Sequence, residues 1–344
     1  MHKITLIPGD GIGPSVIDAT VRVLEATGIS FQWDRQLGGM AAVQAKEDPL
    51  PAETLASIRS TCLALKGPLT TPVGGGYRSV NVALRQEFDL YANVRPSTSF
   101  EGVNAIHKNV NIVLIRENTE GLYSGIEHFI RADGINIAAE SVAVVTRSGS
   151  EKIIRYAFEY AKHRGRKRVT LVHKANILKC TTGMFLEIGR EMARHYPAIE
   201  FKEKIIDACA MQMVMEPAAY DVIVTTNLFG DILSDLAAGL VGGLGLAAGA
   251  NIGKDAAIFE AVHGSAPDIA GKNIANPTAV IMSGAMMLEY LGELSAARRV
   301  ETAVREVIRE GNCVTPDLKK DSRHGTQEMA GEIVRRVQTA DRTP

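Results

Sequence analysis

The stretch Asp221 to Leu240, DVIVTTNLFGDILSDLAAGL, constrains this chain more than any other. Its first six residues are a β-branched run of the kind that forms a buried strand, and from about Leu228 the apolar residues switch to helical spacing. A buried strand that turns directly into a helix is the building unit of α/β folds.

Asp231 and Asp235 are four residues apart on that helix, so they project from one face, one turn from each other. Like charges in that arrangement destabilise a helix by roughly 0.2–0.5 kcal/mol, and a cation held between them reverses the sign. The simpler alternative is that Asp231 favours the positive N-terminal end of the helix dipole and Asp235 is solvated. The surroundings favour a metal. The neighbouring helix positions are Ile, Leu and Ala, a glycine-rich run GLVGGLGLAAGANIG follows, and the mouth of a strand–helix junction suits a hard divalent cation.

At 344 residues the chain is long for one core and reads as two domains. A net charge of −1 offers no broad basic field for nucleic acid, and no apolar run reaches membrane-spanning length. The expected partners are therefore small molecules and other subunits, not nucleic acid or a membrane. Cys62, Cys180, Cys209 and Cys313 are scattered without a CxxC pair, which predicts a reduced, cytoplasmic setting. The start, MHKITLIPGDGIGPS, enters a strand within three residues and has no cationic leader or signal core; a mature organellar chain reads the same way.

In chain order, Lys3 to Ile7 predicts a strand, and Pro8 to Pro14 a turn into a helix ending near Glu25. The glycines imitate a dinucleotide fingerprint, but G-x-G-x-x-G needs glycine where Pro14 stands. Pro14 suits the first turn of a helix, so the cluster reads as a structural turn, with cofactor contact as the alternative. Lys66 to Pro72, followed by Gly74 to Gly76, is too irregular for a strand or helix. Ser79 and Asn81 fall near a helix start, where such side chains cap. Arg85, Arg95 and Arg116 end or flank apolar runs, and three arginines so placed suggest a pocket for a polyanionic carboxylate.

Tyr123 sits in a polar loop, and the basic run 162–168 reads as a solvated face. Lys174 ends a strand; it is a surface residue or, packed beside cations, a base. Residues 258–279 read as an unusually long loop carrying His263, Asp268 and Asn276. Helical patterns cover Thr278 to about Arg309 and residues 327–338, and the final TADRTP reads as frayed.

LIPGDGIGPS, KGPLTTP, DLYANVRP, RENTEGLYSG, VHKANILK, NLFGDILSD and HGSAPDIAGK with NIANPTA together resemble the β-decarboxylating dehydrogenases, the family of isocitrate, 3-isopropylmalate, homoisocitrate and tartrate dehydrogenases. The resemblance extends over nearly the whole chain. It implies an α/β, non-Rossmann fold of two domains. The large, cofactor-binding domain would be residues 1–98 plus 251–344. The small one, 99–250, would carry dimerisation, metal and substrate residues. It also implies a homodimer or larger homo-oligomer with sites shared between subunits, clasped by an arm at residues 135–147.

Ser79-Val80-Asn81 before Arg85 is similar to the isocitrate type, where isopropylmalate enzymes carry leucines; homoisocitrate is the runner-up substrate. The implied substrate residues are Ser79, Asn81, Arg85, Arg95, Arg116 and Asn176. The implied NAD contacts are Ile12, Leu69, Thr70, His263, Gly264, Ala266, Asp268, Ile269 and Asn276. Asp268 would bind the two ribose hydroxyls and repel a 2′-phosphate, and NADP-using relatives often have Lys then Tyr where this chain has Asp268 and Ile269. Asp231 and Asp235 of one subunit, with the partner's Asp207, would hold Mg²⁺ or Mn²⁺. The partner subunit's Lys174, assisted by Asp207, would take up the substrate hydroxyl proton, and Tyr123 would supply the proton at C3 after CO₂ leaves. The implied activity is NAD-dependent oxidative decarboxylation of isocitrate to 2-oxoglutarate. The alternatives of another class are a bare carboxylate-binding module and a non-catalytic regulatory subunit.

Overall fold

In the computed structural model, which describes residues 1–72 and 76–340, one ten-stranded sheet runs through both predicted domains. The chain opens with β1 (His2–Ile7), α1 (Gly13–Glu25), β2 (Phe31–Arg35), α2 (Met40–Lys46), α3 (Ala52–Thr61), β3 (Leu63–Lys66) and α4 (Val80–Glu87). It crosses the middle of the sheet as β4 (Ala92–Thr98) and β5 (Asn111–Glu117), then leaves it for a hairpin of β6 (Glu127–Ala132) and β7 (Ile135–Ser141). Next come α5 (Arg147–His163), β8 (Arg168–His173), α6 (Thr181–Ala193), β9 (Glu200–Ile205), α7 (Ile206–Met215), β10 (Val222–Thr225) and α8 (Asn227–Val241). It closes with β11 (Ala248–Ile252), β12 (Ala257–Ala261), α9 (Thr278–Tyr290), α10 (Leu294–Glu310) and α11 (Thr326–Ala340).

The strand order is β2-β1-β3-β12-β11-β4-β5-β10-β8-β9. Pairing is parallel in both wings and antiparallel only at the centre, where β11 meets β12 and β4 and where β4 meets β5. Parallel strands covered on both faces carry unbroken apolar runs. That is why β10 was legible: all four of its residues are buried. α1, α9, α10 and α11 pack against one another beside the N-terminal wing, while α5 and α6 cover β8 in the other. The 98/99 division falls in the β4–β5 connection, and the 250/251 division falls inside β11.

Three readings need correction. Residues 257–261 are not loop but β12, because Ile258 and Phe259 are buried between β3 and β11; the irregular segment starts only at Val262. The helical pattern 278–309 is two helices, broken where Gly292 takes φ +82°. The arm predicted at 135–147 is the β6–β7 hairpin, and residue 147 already belongs to α5, whose N-cap is Thr146.

The glycine turn does prove structural: Gly11 has φ +58°, and a Cβ there would lie 2.0 Å from the Ser265 carbonyl oxygen. The basic run is a paired surface, with Arg164 on Glu289, Arg166 on Asp221 and Arg168 on Glu200. No helix among the described residues is long and apolar enough to cross a membrane. Gly74 and Gly75, and residues 341–344 of the predicted frayed end, lie outside the described residues.

Candidate active site

β5 and β10 run parallel with Arg116 in register with Thr225. One residue later Thr226 stands at the N-cap position of α8, so Arg116 emerges beside the first turns of that helix. Gly230 makes room for it, since a Cβ at 230 would lie 2.5 Å from Arg116 Cγ. Arg116 donates from Nε and Nη2 to Asn227 Oδ1, at 3.0 and 2.7 Å, and from Nη1 to Asp231. From the neighbouring β4, Arg95 Nη1 donates to Ser234 Oγ at 2.5 Å and lies 3.4 Å from Asp231 and 3.5 Å from Asp235.

Tyr123 donates its hydroxyl hydrogen to Asp231 Oδ2 at 2.5 Å, and its ring lies under the Arg116 guanidinium at 5.0 Å. The loop that brings it there is built on Glu117, whose carboxylate accepts from the backbone N–H groups of Thr119 and Glu120.

Charge is concentrated here. Burial, with Arg95 and Arg85 close by, lowers Arg116 to about 10, and burial lowers Arg95 as well. Burial opposes ionisation of Asp231, but Arg116, the Tyr123 hydroxyl and Arg95 outweigh it and hold the carboxyl below its usual range. Asp235 goes the other way: burial raises it, and Arg95 offsets this only in part. The Tyr123 phenol is raised by burial and by Asp231, so it keeps its proton and can act as an acid.

Asp231 and Asp235 offer carboxylate oxygens only, the donor set of a hard divalent cation. Among the described residues no third acidic, histidine or cysteine side chain joins them. Asp207 stands elsewhere, in the first turn of α7, 69% exposed and paired with Lys174. Asn176 is exposed in the turn after Lys174. Within one chain, then, the predicted site residues include two separate groups: buried arginines with Asp231, Asp235 and Tyr123 at their surface side, and a half-buried Lys174 with the exposed Asn176 and Asp207.

On the other side of Arg95 lies a pocket of about 120 Å³, lined by Leu69, Asn81, Arg85, Arg95, Glu260, His263 and Gly264 among others. Asn81 Oδ1, Arg85 Nε, Arg95 Nε and His263 Nε2 are buried there without hydrogen-bond partners. Buried polar atoms are ordinarily satisfied, so these suit a polar ligand. Asn81 therefore does not cap its helix; Ser79 does, accepting from the Val82 N–H.

The predicted cofactor residues converge from three segments. Ile12 N–H donates to the Ser265 carbonyl at 2.9 Å, and Thr70 and Ser265 share a hydroxyl contact at 2.8 Å. Asp10 fastens the corner by accepting from the N–H groups of Thr70, Met40 and Ala41. Gly264 faces open space, and Asp268 is exposed beside Ile269 in the short turn that follows Ala266. Asn276 is turned inward to Asp317. An exposed carboxylate beyond an open, polar-lined corner fits a dinucleotide ribose.

Sequence reading missed Lys66, Asn93, Asn227, Ser234, Asn251 and Glu260. Lys66 Nζ lies 2.5 Å from Glu260, and Asn251 donates to Glu260 while accepting from Asn93 and Asn118. For Lys66, Asn251 and Glu260 the available signal was a lone charged or amide side chain in an otherwise apolar strand; Asn227 and Ser234, on α8, carried none.

A family model described as isocitrate/isopropylmalate dehydrogenase matches residues 3–333. The crystal structure of isocitrate dehydrogenase from Methylococcus capsulatus superposes with a TM-score of 0.97 at 71% identity, covering 98% of this chain and 100% of that one. A probable mitochondrial NAD isocitrate dehydrogenase alpha chain of Drosophila melanogaster is 47% identical over 96% of this chain and 86% of its own. A mitochondrial regulatory chain of the NAD enzyme of Dictyostelium discoideum is 45% identical over 98% and 92%. The mitochondrial names overturn the cytoplasmic reading: unpaired cysteines report a reducing compartment, not which one. On the match along almost its whole length, the chain belongs to the isocitrate/isopropylmalate dehydrogenase family.

Proposed function

We propose that the chain catalyses the NAD-dependent oxidative decarboxylation of isocitrate to 2-oxoglutarate and CO₂ with Mg²⁺ or Mn²⁺. The observation that carries this is the convergence of Arg95 and Arg116 on Asp231 and Asp235, with Arg85 beside Arg95 in the adjoining pocket and the Tyr123 hydroxyl bonded to Asp231. Asp231 and Asp235, with the partner's Asp207, would hold the divalent ion, which supplies Lewis-acid chemistry at the substrate oxygens while NAD⁺ accepts the hydride.

The three arginines bind and orient the substrate carboxylates, with Ser79, Asn81 and Asn176 completing recognition. The partner subunit's Lys174, held by Asp207, takes the hydroxyl proton as the C2 hydrogen leaves. Tyr123 returns a proton at C3 once CO₂ has gone. Ile12, Leu69, Thr70, His263, Gly264, Ala266, Asp268, Ile269 and Asn276 take the dinucleotide.

The group of Lys174 with the exposed Asn176 and Asp207, apart from the arginines, supports a homodimer, or larger homo-oligomer, in which each site draws on two subunits. The hairpin supports it too, since Phe129, Ile135 and Ile137 are 57%, 66% and 62% exposed. The division into residues 1–98 plus 251–344 and 99–250 belongs to the same reading.

The named regulatory relative motivates one rival, a non-catalytic subunit. Steady-state assays of the purified chain with Mg²⁺, on isocitrate, homoisocitrate, 3-isopropylmalate and tartrate with NAD⁺ or NADP⁺, decide both points. The expected outcome is the highest kcat/KM for isocitrate with NAD⁺. Absence of turnover on all four favours the regulatory role. Preference for homoisocitrate overturns the reading of Ser79 and Asn81 alone.

A further inference from the structure

We infer that Asn227 and Ser234, neutral residues on the same side of α8 as Asp231, are positioning residues that hold Arg116 and Arg95 for the substrate and limit how far the two guanidiniums occupy the metal carboxylates. The inference rests on the site reading above.

Both residues are almost fully buried, Asn227 at 0% exposure and Ser234 at 3%. Each has a hydrogen committed elsewhere. The Asn227 amide donates to the Glu120 carbonyl at 3.1 Å, and the Ser234 hydroxyl donates to the Asp231 carbonyl at 2.9 Å. What each presents to its arginine is therefore an oriented acceptor. Asn227 Oδ1 takes two N–H groups of Arg116, and Ser234 Oγ takes Arg95 Nη1.

The competing acceptors for these guanidiniums are Asp231, to which Arg116 Nη1 already donates, and Asp235; both lie within 3.5 Å of Arg95. Charge-assisted bonds are roughly twice as strong as neutral ones. Without the neutral acceptors the arginines settle fully onto the carboxylates and compete with the cation for them. Asn227 also ties the orientation of Arg116 to the loop that carries Tyr123, through Glu120.

The test compares full-length Asn227→Ala, Ser234→Ala and Ser234→Thr with wild type. Mn²⁺ binding is measured by electron paramagnetic resonance without substrate, and KM and kcat are measured with isocitrate and NAD⁺. The expected result for each alanine variant is roughly tenfold weaker Mn²⁺ binding and a roughly tenfold higher isocitrate KM, from loss of a hydrogen bond to a charged group. The NAD⁺ KM should stay near wild type, and Ser234→Thr should restore both losses. If Asn227→Ala does not fold, Ser234→Ala decides.

Lower melting temperature with unchanged Mn²⁺ affinity and isocitrate KM makes the residues merely structural and overturns the inference. Arg95→Met serves as the control. If it raises the isocitrate KM while Ser234→Ala behaves as wild type, only this inference fails; if it leaves the KM unchanged, the reading of the site fails and this inference with it.

Discussion

Lys66 and Glu260 occupy paired positions on β3 and β12, and Lys66 is 1% exposed. Burial disfavours the Glu260 carboxylate, but Lys66 and Arg85 prevail and hold it at about 2, against an ordinary 4.5. A carboxyl depressed on folding contributes stability above its unfolded pKa and loses it as pH falls through the folded one. Here the contribution is complete above about 4.5 and is lost between there and about 2. Glu260→Gln leaves Lys66 buried without its counter-ion, so urea unfolding should show a loss of about 3–5 kcal/mol at neutral pH. The variant should also have a flatter acid limb of the stability profile across that window. At the same scale, Tyr123→Phe removes the hydroxyl that donates to Asp231. It should slow processing of the β-keto acid intermediate, oxalosuccinate, more than hydride transfer from isocitrate; undiminished oxalosuccinate turnover removes the proton-donor role.

α8 shows how an element serves a site through what it leaves out. Gly230→Ala drives a methyl into Arg116, whose side chain is too buried to move away freely. The expected cost is about 1–3 kcal/mol of stability and a higher isocitrate KM, checked by thermal melts beside kinetics. The loop after β12 makes the opposite case, an exposed element tuned by charge. Asp268→Lys should lower NAD⁺ affinity and admit NADP⁺, and an unchanged ratio of kcat/KM for the two cofactors defeats the argument from Asp268. Elements were legible where periodicity was strong, as in α1, β10 and α8. The β6 half of the hairpin was missed because both its faces are exposed in this chain, leaving no alternation to read. β12 was lost in the glycine and proline signal of the segment behind it.

At the scale of the whole molecule, the separation of Lys174 and Asp207 from the arginine cluster predicts complementation. Lys174→Met and Arg116→Met chains, each inactive alone, should regain isocitrate turnover when refolded together, because a mixed dimer contains one site with neither lesion. No recovery despite verified mixed dimers means that each chain builds its site alone. Local pattern in the sequence was enough for the α/β class, for the carboxylate pair one turn apart on a helix, and for three arginines at the ends of apolar runs, since spacing along a strand or helix is set by backbone geometry. What only the tertiary structure decided is which of these groups meet. Arg116 reaches Asp231 across 115 residues, and Lys66 finds Glu260, because the strand order brings β4, β5 and β10 together at one end of α8 and sets β3 beside β12. The neutral partners Asn227 and Ser234 have no sequence signature of their own; their role exists only once two guanidiniums are buried beside them.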